Sequence, residues 1–239
     1  VPQFFINRDD IKDGIIKLSG PDLRHLAKVR RAAAGDKIYL RGADGRGYEA
    51  RIIAIDDYSI SAAVENEYEE DSGNVSLKIF LSLLKGSNFE FSLQKCIEAG
   101  AAEITPLFSE RTVPDIKNKV EQKLQRWRKI ALESAKQCLR KNIPVVNAPV
   151  DFKTAVIEPG SEERIVAHPG AEVQLKDYLR SRVPPVSADL AIGPEGGFSP
   201  QEIKLAEQSG WSIINSGSSH LRAETAAIII PAIIIYEWS

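Results

Sequence analysis

Hydrophobic and polar positions follow two regimes along this chain. Over residues 1–70 the apolar stretches are short and broken by turn signals. Phe4–Ile6, Lys37–Leu40, Tyr48–Ile55 and Ser59–Val64 read as strands, with Gly35-Asp36 and Asp44-Gly45 as turns. One short helix is expected over Pro21–Arg31, where Leu23, Leu26, Ala27 and Arg30 share a side. These elements predict a small β-barrel-like domain. The acidic stretch Glu65–Asp71, followed by Ser72-Gly73-Asn74, marks the linker.

Beyond the linker, strands alternate with helices. Val75–Leu84 reads as a strand leading into a helix that starts at a Ser87–Glu90 capping box and stops at Gly100. Strand Glu103–Phe108 follows. A long helix is expected from about Lys117 to Arg140, because Val120, Leu124, Trp127, Ala131, Ala135 and Cys138 form one stripe. Arg164–His168, Asp189–Ile192 and Trp211–Asn215 are further strands. Ser199 caps another helix, with Pro200 at its first position, Glu202 three residues after the cap and Gly210 at its end. The last helix, from Ala223, is apolar nearly all round and must be buried, with a second subunit as its expected cover. Strands alternating with helices imply an α/β unit whose parallel sheet is packed on both faces.

With 239 residues, 43% hydrophobic and 27% charged, the chain is globular and holds one or two domains. A formal charge of −2 and a pI near 6.0 exclude a uniformly basic nucleic-acid binder, yet the charge is uneven. Eight basic and four acidic residues lie between Pro21 and Arg51, seven acidic and no basic ones between Asp56 and Asp71, and nine basic to two acidic from Lys117 to Lys141. Only Cys96 and Cys138 are present, in no zinc or disulfide spacing, which fits a reducing cytoplasm. No apolar run reaches the roughly 18 residues of a membrane span. The first residues lack signal-peptide character, and with methionine absent Val1 reads as a product of processing or trimming.

Residues 192–199 read Ile-Gly-Pro-Glu-Gly-Gly-Phe-Ser, and Gly217 opens a second run ending Leu221-Arg222-Ala223-Glu224-Thr225-Ala226. Each glycine-containing turn stands between a strand-like stretch and a helix start. Glycine permits positive φ and close backbone approach to a ligand, so the pair predicts a small-molecule cradle. A dinucleotide fold would carry its glycines after the first strand. Here the first strong strand, Ile79–Leu84, is followed by the single Gly86.

On these residues the chain resembles the bacterial small-subunit ribosomal RNA methyltransferase E family of the SPOUT superfamily, over its whole length. Phe4-Phe5, Leu81–Gly86, Gln94–Gly100, Glu110-Arg111, Gln137-Cys138-Leu139-Arg140, Gly193–Ser199 and Leu221–Ala226 are similar to successive family blocks. The chain departs at Ser216, where leucine is usual, and at Ser219-His220, where the family has arginine-isoleucine. The resemblance implies a PUA-like RNA-binding β-barrel domain over 1–70 and a SPOUT methyltransferase domain with a C-terminal trefoil knot over 73–239. It further implies a metal-free homodimer that binds S-adenosylmethionine in the knot and methylates N3 of a uridine in 16S ribosomal RNA. Pattern alone would give an ordinary doubly wound sheet, because threaded chains are rare.

Under that resemblance the cofactor cradle comprises three loops. They are His168-Pro169-Gly170; Ile192, Gly193, Pro194, Glu195, Gly196 and Gly197; and Ser216, Gly217, Leu221, Arg222, Glu224, Thr225 and Ala226. Uridine N3 must lose its proton, so the site needs alignment, a donor for charge spreading onto O2 and O4, and a proton acceptor. Arg222 is the first candidate donor; capping of helix carbonyls or pairing with Glu224 is its bland alternative. Arg140 is the second, or else it serves the helix dipole. Glu195 either accepts a proton or bonds neighbouring backbone N–H groups. Arg8, Arg24, Lys28, Arg30, Arg31, Lys85 and Arg111 are candidates for RNA phosphates. His25 and His220 read as solvent-facing or packed, Cys138 as core, and Phe89 and Trp127 as packing residues. Two other functions fit the same residues: ribose 2′-O-methylation of transfer or ribosomal RNA, and a non-catalytic RNA-binding assembly protein.

Overall fold

The computed structural model describes residues 3–6, 8–20, 32–42, 46–68, 75–217 and 219–239. Two units emerge, Val1–Ser72 with Ala135–Asn142, and Gly73–Ser134 with Ile143–Ser239. The expected helix over Pro21–Arg31 and the turn at Asp44-Gly45 lie outside the described residues, as do Arg24, His25, Lys28, Arg30 and Arg31.

The first unit holds β1 (Gln3–Ile6), β2 (Ile11–Lys12), β3 (Ile15–Leu18), β4 (Lys37–Gly42), β5 (Gly47–Ile55) and β6 (Ile60–Tyr68). They form one sheet in the order β1-β4-β5-β6-β3-β2, antiparallel except for β1 beside β4. Alternate residues turn to one face, so Phe4, Ile16, Leu18, Ile38, Leu40, Ile52 and Ile60 share a core. Two register shifts in the β5–β6 ladder, at Glu49/Ala50 and Ile52/Ala54, curl the sheet into a half-barrel. The hairpin from β2 to β3 turns on Asp13 (φ 51) and Gly14 (φ 74), the positive pair that a two-residue reverse turn requires. The linker expected from Glu65 begins later than its acidity suggests. β6 runs on to Tyr68, because Arg51 and Arg46 across the ladder take up Glu65 and Glu67.

The second unit contains strands β7 (Ser76–Ser82), β8 (Glu103–Phe108), β9 (Val145–Val146), β10 (Val150–Asp151), β11 (Glu163–Ala167), β12 (Val173–Gln174), β13 (Ser187–Ile192) and β14 (Ser212–Asn215). Its helices are α1 (Asn88–Ala99), α2 (Val120–Gln137, whose last three residues group with the first unit), α3 (Phe152–Ile157), α4 (Leu175–Arg180), α5 (Pro200–Gln208) and α6 (Ala223–Glu237). The sheet is all-parallel, ordered β10-β8-β7-β13-β11-β14-β12, with β9 beside β8. Successive residues of its central strands enter opposite cores. Leu77, Ile79, Leu81, Ile165 and Leu190 join α1, α2, α4 and α6, while Phe80, Leu107, Val166 and Ala191 join α3 and α5. Burial on both faces is what a parallel sheet needs, and each large apolar side chain contributes roughly 1.5–3 kcal/mol. Phe89 and Trp127 pack ring to ring at 4.6 Å, as expected of stripe residues.

Three expectations at helix ends change. Ser87 already has helical backbone angles (φ −90, ψ −4) and its side chain caps nothing, so the predicted box at α1 is not formed. Glu90 turns instead to Arg126 at 2.6 Å and Lys123 at 3.6 Å. The long helix is shorter than its stripe, with a 3-10 turn over Lys117–Lys119 and an exit at Leu139 in positive φ (57). Cys138, beyond that helix, is half-buried rather than core.

From β14 the chain returns as α6 to pack on α1, β7 and β13, across β11 from where it left. Ala223, Ala227, Ile230 and Ile234 form the buried stripe of α6. Its other side is open in the single chain: Ile229, Ile233 and Tyr236 are exposed. Pro231 has no N–H to give the Ala227 carbonyl four residues back. The Cys96 thiol of α1 donates to that carbonyl at 3.1 Å, and burial pushes its pKa up to about 12, so it keeps its proton. Among the described residues no helix is long and apolar enough to cross a membrane.

Candidate active site

Parallel strands end at the same edge of a sheet, and ligands of α/β folds bind outside that carboxyl edge. Here the loops after β11, β13 and β14, with the first turns of α1 and α6, line a cavity of about 420 Å³.

The first loop begins at His168, whose N–H donates to the Ile214 carbonyl at 2.8 Å and whose carbonyl accepts from Ala171 at 3.1 Å. The second turns tightly at Pro194–Gly197, closed by a 2.8 Å hydrogen bond from Gly197 N–H to the Pro194 carbonyl with Gly197 at φ 68. Its position is fixed by partners distant in sequence. Glu195 Oε1 accepts from the Lys85 N–H at 2.8 Å, and the Arg111 guanidinium donates to the Gly196 carbonyl at 2.7 Å. Glu202 Oε1 accepts from the Glu110 N–H at 2.9 Å, while its Oε2 completes the predicted capping box with Ser199. The third loop is stapled to the first by Asn215, whose Nδ2 donates to the Ala171 carbonyl at 2.6 Å and whose Oδ1 accepts from the Gly217 N–H.

The cavity brings together His168, Pro169, Ile192, Gly193, Pro194, Glu195, Gly197, Ser216, Leu221, Arg222, Glu224 and Ala226, all of them singled out in the sequence. Gly170, Gly196, Gly217 and Thr225 do not line it. The first two face protein: a Cβ on Gly170 would stand 3.1 Å from His168 Nε2, and one on Gly196 3.3 Å from Arg111 Cβ. Lining residues that the sequence did not suggest are Asn88, Ala167, Ala223 and Ile230. Ala167 and Ala223 adjoin the glycine motifs and Ile230 lies on the inner stripe of α6, but nothing local marks Asn88.

Arg222 stands at the start of α6 with no capping bond, and its exposed guanidinium has no partner among the described residues. The alternative pairing with Glu224 is therefore not made. The His168 pKa is lowered, first by burial and then by the Arg111 charge, so the imidazole is neutral near pH 7; its Nδ1 is buried without a partner among the described residues. Arg140 groups with the first unit, is half-buried and has its pKa lowered by burial; it does not line the cavity. Arg8 lies in a 3-10 turn of the first unit, and Lys85 is exposed. His220 is exposed, the first of the two alternatives the sequence left open. Among the described residues no three His, Cys, Asp or Glu side chains converge as a metal site would need.

Comparison with known proteins follows the same division. A model of the RNA methyltransferase domain matches residues 71–235. The chain belongs to that RNA methyltransferase family. A model of the RNA methyltransferase PUA domain matches residues 18–65. Among curated relatives of this family member, the ribosomal RNA small subunit methyltransferase E of Mesomycoplasma hyopneumoniae is 37% identical over 156 residues, 63% of this chain and 65% of the relative's length. The enzyme of the same name from Synechocystis is 29% identical over 92% of this chain and 73% of its own. Among solved structures, methyltransferase E of Neisseria gonorrhoeae bound to S-adenosylmethionine superposes with a TM-score of 0.88, at 26% identity, over 99% of this chain and 98% of that one. Lpg2936 of Legionella pneumophila, also solved with this cofactor, gives 0.84 at 29% identity, covering 97% and 96%. The PUA-like sheet and the SPOUT-type parallel sheet expected from the resemblance are the fold of this chain.

Proposed function

We propose that this protein transfers the methyl group of S-adenosylmethionine to N3 of a uridine in 16S ribosomal RNA, as a cytoplasmic homodimer. The observation that carries this reading is the cavity at the carboxyl edge of the sheet, walled by three glycine-bearing loops. Its roughly 420 Å³ suit one nucleoside-sized ligand. Bound there, S-adenosylmethionine supplies an electrophilic methyl group on a sulfonium that needs no acid to leave.

The residues of the chain then have to make N3 a nucleophile. The N3–H bond breaks and its proton goes to an acceptor. The N3 electron pair forms the bond to the methyl carbon, and the pair of the broken carbon–sulfur bond stays on sulfur. Arg222, unpartnered at the cavity, donates to a uracil oxygen as charge gathers there. Glu195 holds Lys85 with one oxygen, which leaves the other to take the proton directly or through water. Arg140 adds positive charge to the partner subunit's pocket. Arg8, Arg24, Lys28, Arg30, Arg31 and Lys85 meet RNA phosphates, whereas Arg111 is spent on the glycine loop.

We read residues 1–70 as the RNA-binding domain and 73–239 as the methyltransferase domain. The return of α6 across β11 closes the trefoil knot, and Ile229, Ile233 and Tyr236 form the dimer face with Phe91 of α1. Nucleoside mass spectrometry of ribosomal RNA with and without the protein tests the reading. A methyl group on uridine N3 that disappears with the protein is expected; one on a ribose oxygen would assign 2′-O chemistry, and no change would leave an assembly protein. Arg222→Ala should lower turnover about 10²-fold with little change in cofactor affinity.

A further inference from the structure

One polar side chain in the cavity wall has no task in that reading. Asn88 opens α1 and lines the cavity, yet its carboxamide makes no hydrogen bond among the described residues. Its backbone, by contrast, is held. The Asn88 N–H donates to the Lys85 carbonyl at 3.2 Å, and the Lys85 N–H is itself bound by Glu195 at 2.8 Å. Gly86, at φ 61, makes the turn between them. The start of α1 is thus tied to the glycine loop of the same cavity. A half-buried amide on a fixed backbone, from an element outside the three loops, is suited to a second ligand entering beside the first.

We propose that Asn88 is a positioning and specificity residue for the target base, donating its Nδ2–H to one of the two carbonyl oxygens that flank N3. The inference rests on the uridine N3 reading above. Uracil carries O2 and O4 on either side of N3, and both gain negative charge once the N3–H bond breaks. Arg222 serves one oxygen and Asn88 the other. The Asn88 carbonyl does not take the N3 proton, because a neutral amide oxygen is a far weaker base than the Glu195 carboxylate. Cytosine presents an amino group where uracil has O4, so a donor fixed toward that position favours uracil.

The test uses the full-length protein on small ribosomal subunits that lack the methyl group, comparing Asn88→Ala, Asn88→Asp and Asn88→Gln. Calorimetric affinity for S-adenosylmethionine should stay within about twofold of the parent. Single-turnover methyl transfer should fall by about 10²-fold in the Ala and Asp variants, in the range for losing one oxyanion donor. Its rising limb should move to higher pH, since the bound base then holds its proton more firmly. Asn88→Gln, with the same amide on a longer arm, should recover part of the loss. Parallel loss of cofactor affinity, an unshifted pH profile, or an Asp variant as active as the parent would each overturn the proposal. Failure of the underlying reading is separable, because the parent protein would then leave no methyl group on uridine N3.

Discussion

Two helix starts in the methyltransferase unit carry the same signature, a serine with a glutamate three residues on, and they use it differently. At α5 the backbone of Ser199 is extended (φ −73, ψ 160), Pro200 follows, and both bonds of the reciprocal box form. At α1 the chain arrives through Gly86 with Ser87 already helical, so the serine oxygen cannot swing back over the first turn. Its glutamate is drawn to the cations of α2. The start of α5 acts as a strut, because Glu202 also takes the Glu110 N–H and so locks the loop after β8 against the glycine loop. The start of α1 is part of the cavity wall and keeps Asn88 there. A capping signature therefore announces where a helix begins, while tertiary neighbours decide what its side chains bind.

Substitutions at the two starts sharpen this contrast. The largest loss is expected for Glu202→Ala, which strips partners from the Ser199 and Glu110 N–H groups and should cost about 2 kcal/mol in urea unfolding. Ser199→Ala removes only the serine half of the box and should cost about 1 kcal/mol. Glu90→Ala breaks two partly exposed ion pairs, worth about 0.5–1 kcal/mol together, and that difference should shrink in molar salt. Ser87→Ala should be smallest, about 0.3 kcal/mol or less, because no capping bond exists to lose. Equal losses at the two serines in the same denaturation series would erase the contrast.

The parallel sheet was largely legible. Glu103–Phe108 matches the sequence reading to the residue: Ile104, Leu107 and Phe108 mark a short, largely apolar segment that ends at Ser109-Glu110, and its four inner residues are buried. The six-residue helices Phe152–Ile157 and Leu175–Arg180 were missed, being too short to establish a period. Strand Ile11–Lys12 is shorter still, although Asp13-Gly14 beside it is a hairpin signal. At the site, glycine-proline turns after strands gave most of the cradle, since there the sequence-local requirement and the ligand-facing position coincide. Gly170 and Gly196 look the same in sequence but face His168, two residues back in the same loop, and Arg111, which arrives by folding. Asn88 was invisible for a related reason. It reaches the cavity through a hydrogen bond between Lys85 and Glu195, residues 110 apart in the chain.

The proline-bearing helix that follows Arg222 relies on a hydrogen atom belonging to another segment. An oxidant that reached the sulfur of Cys96 would remove the donor that answers Ala227 and leave a peptide oxygen stranded in an apolar interior. Solvent exclusion and a firmly held proton guard against that chemistry, which makes the interior thiol a quiet structural pin.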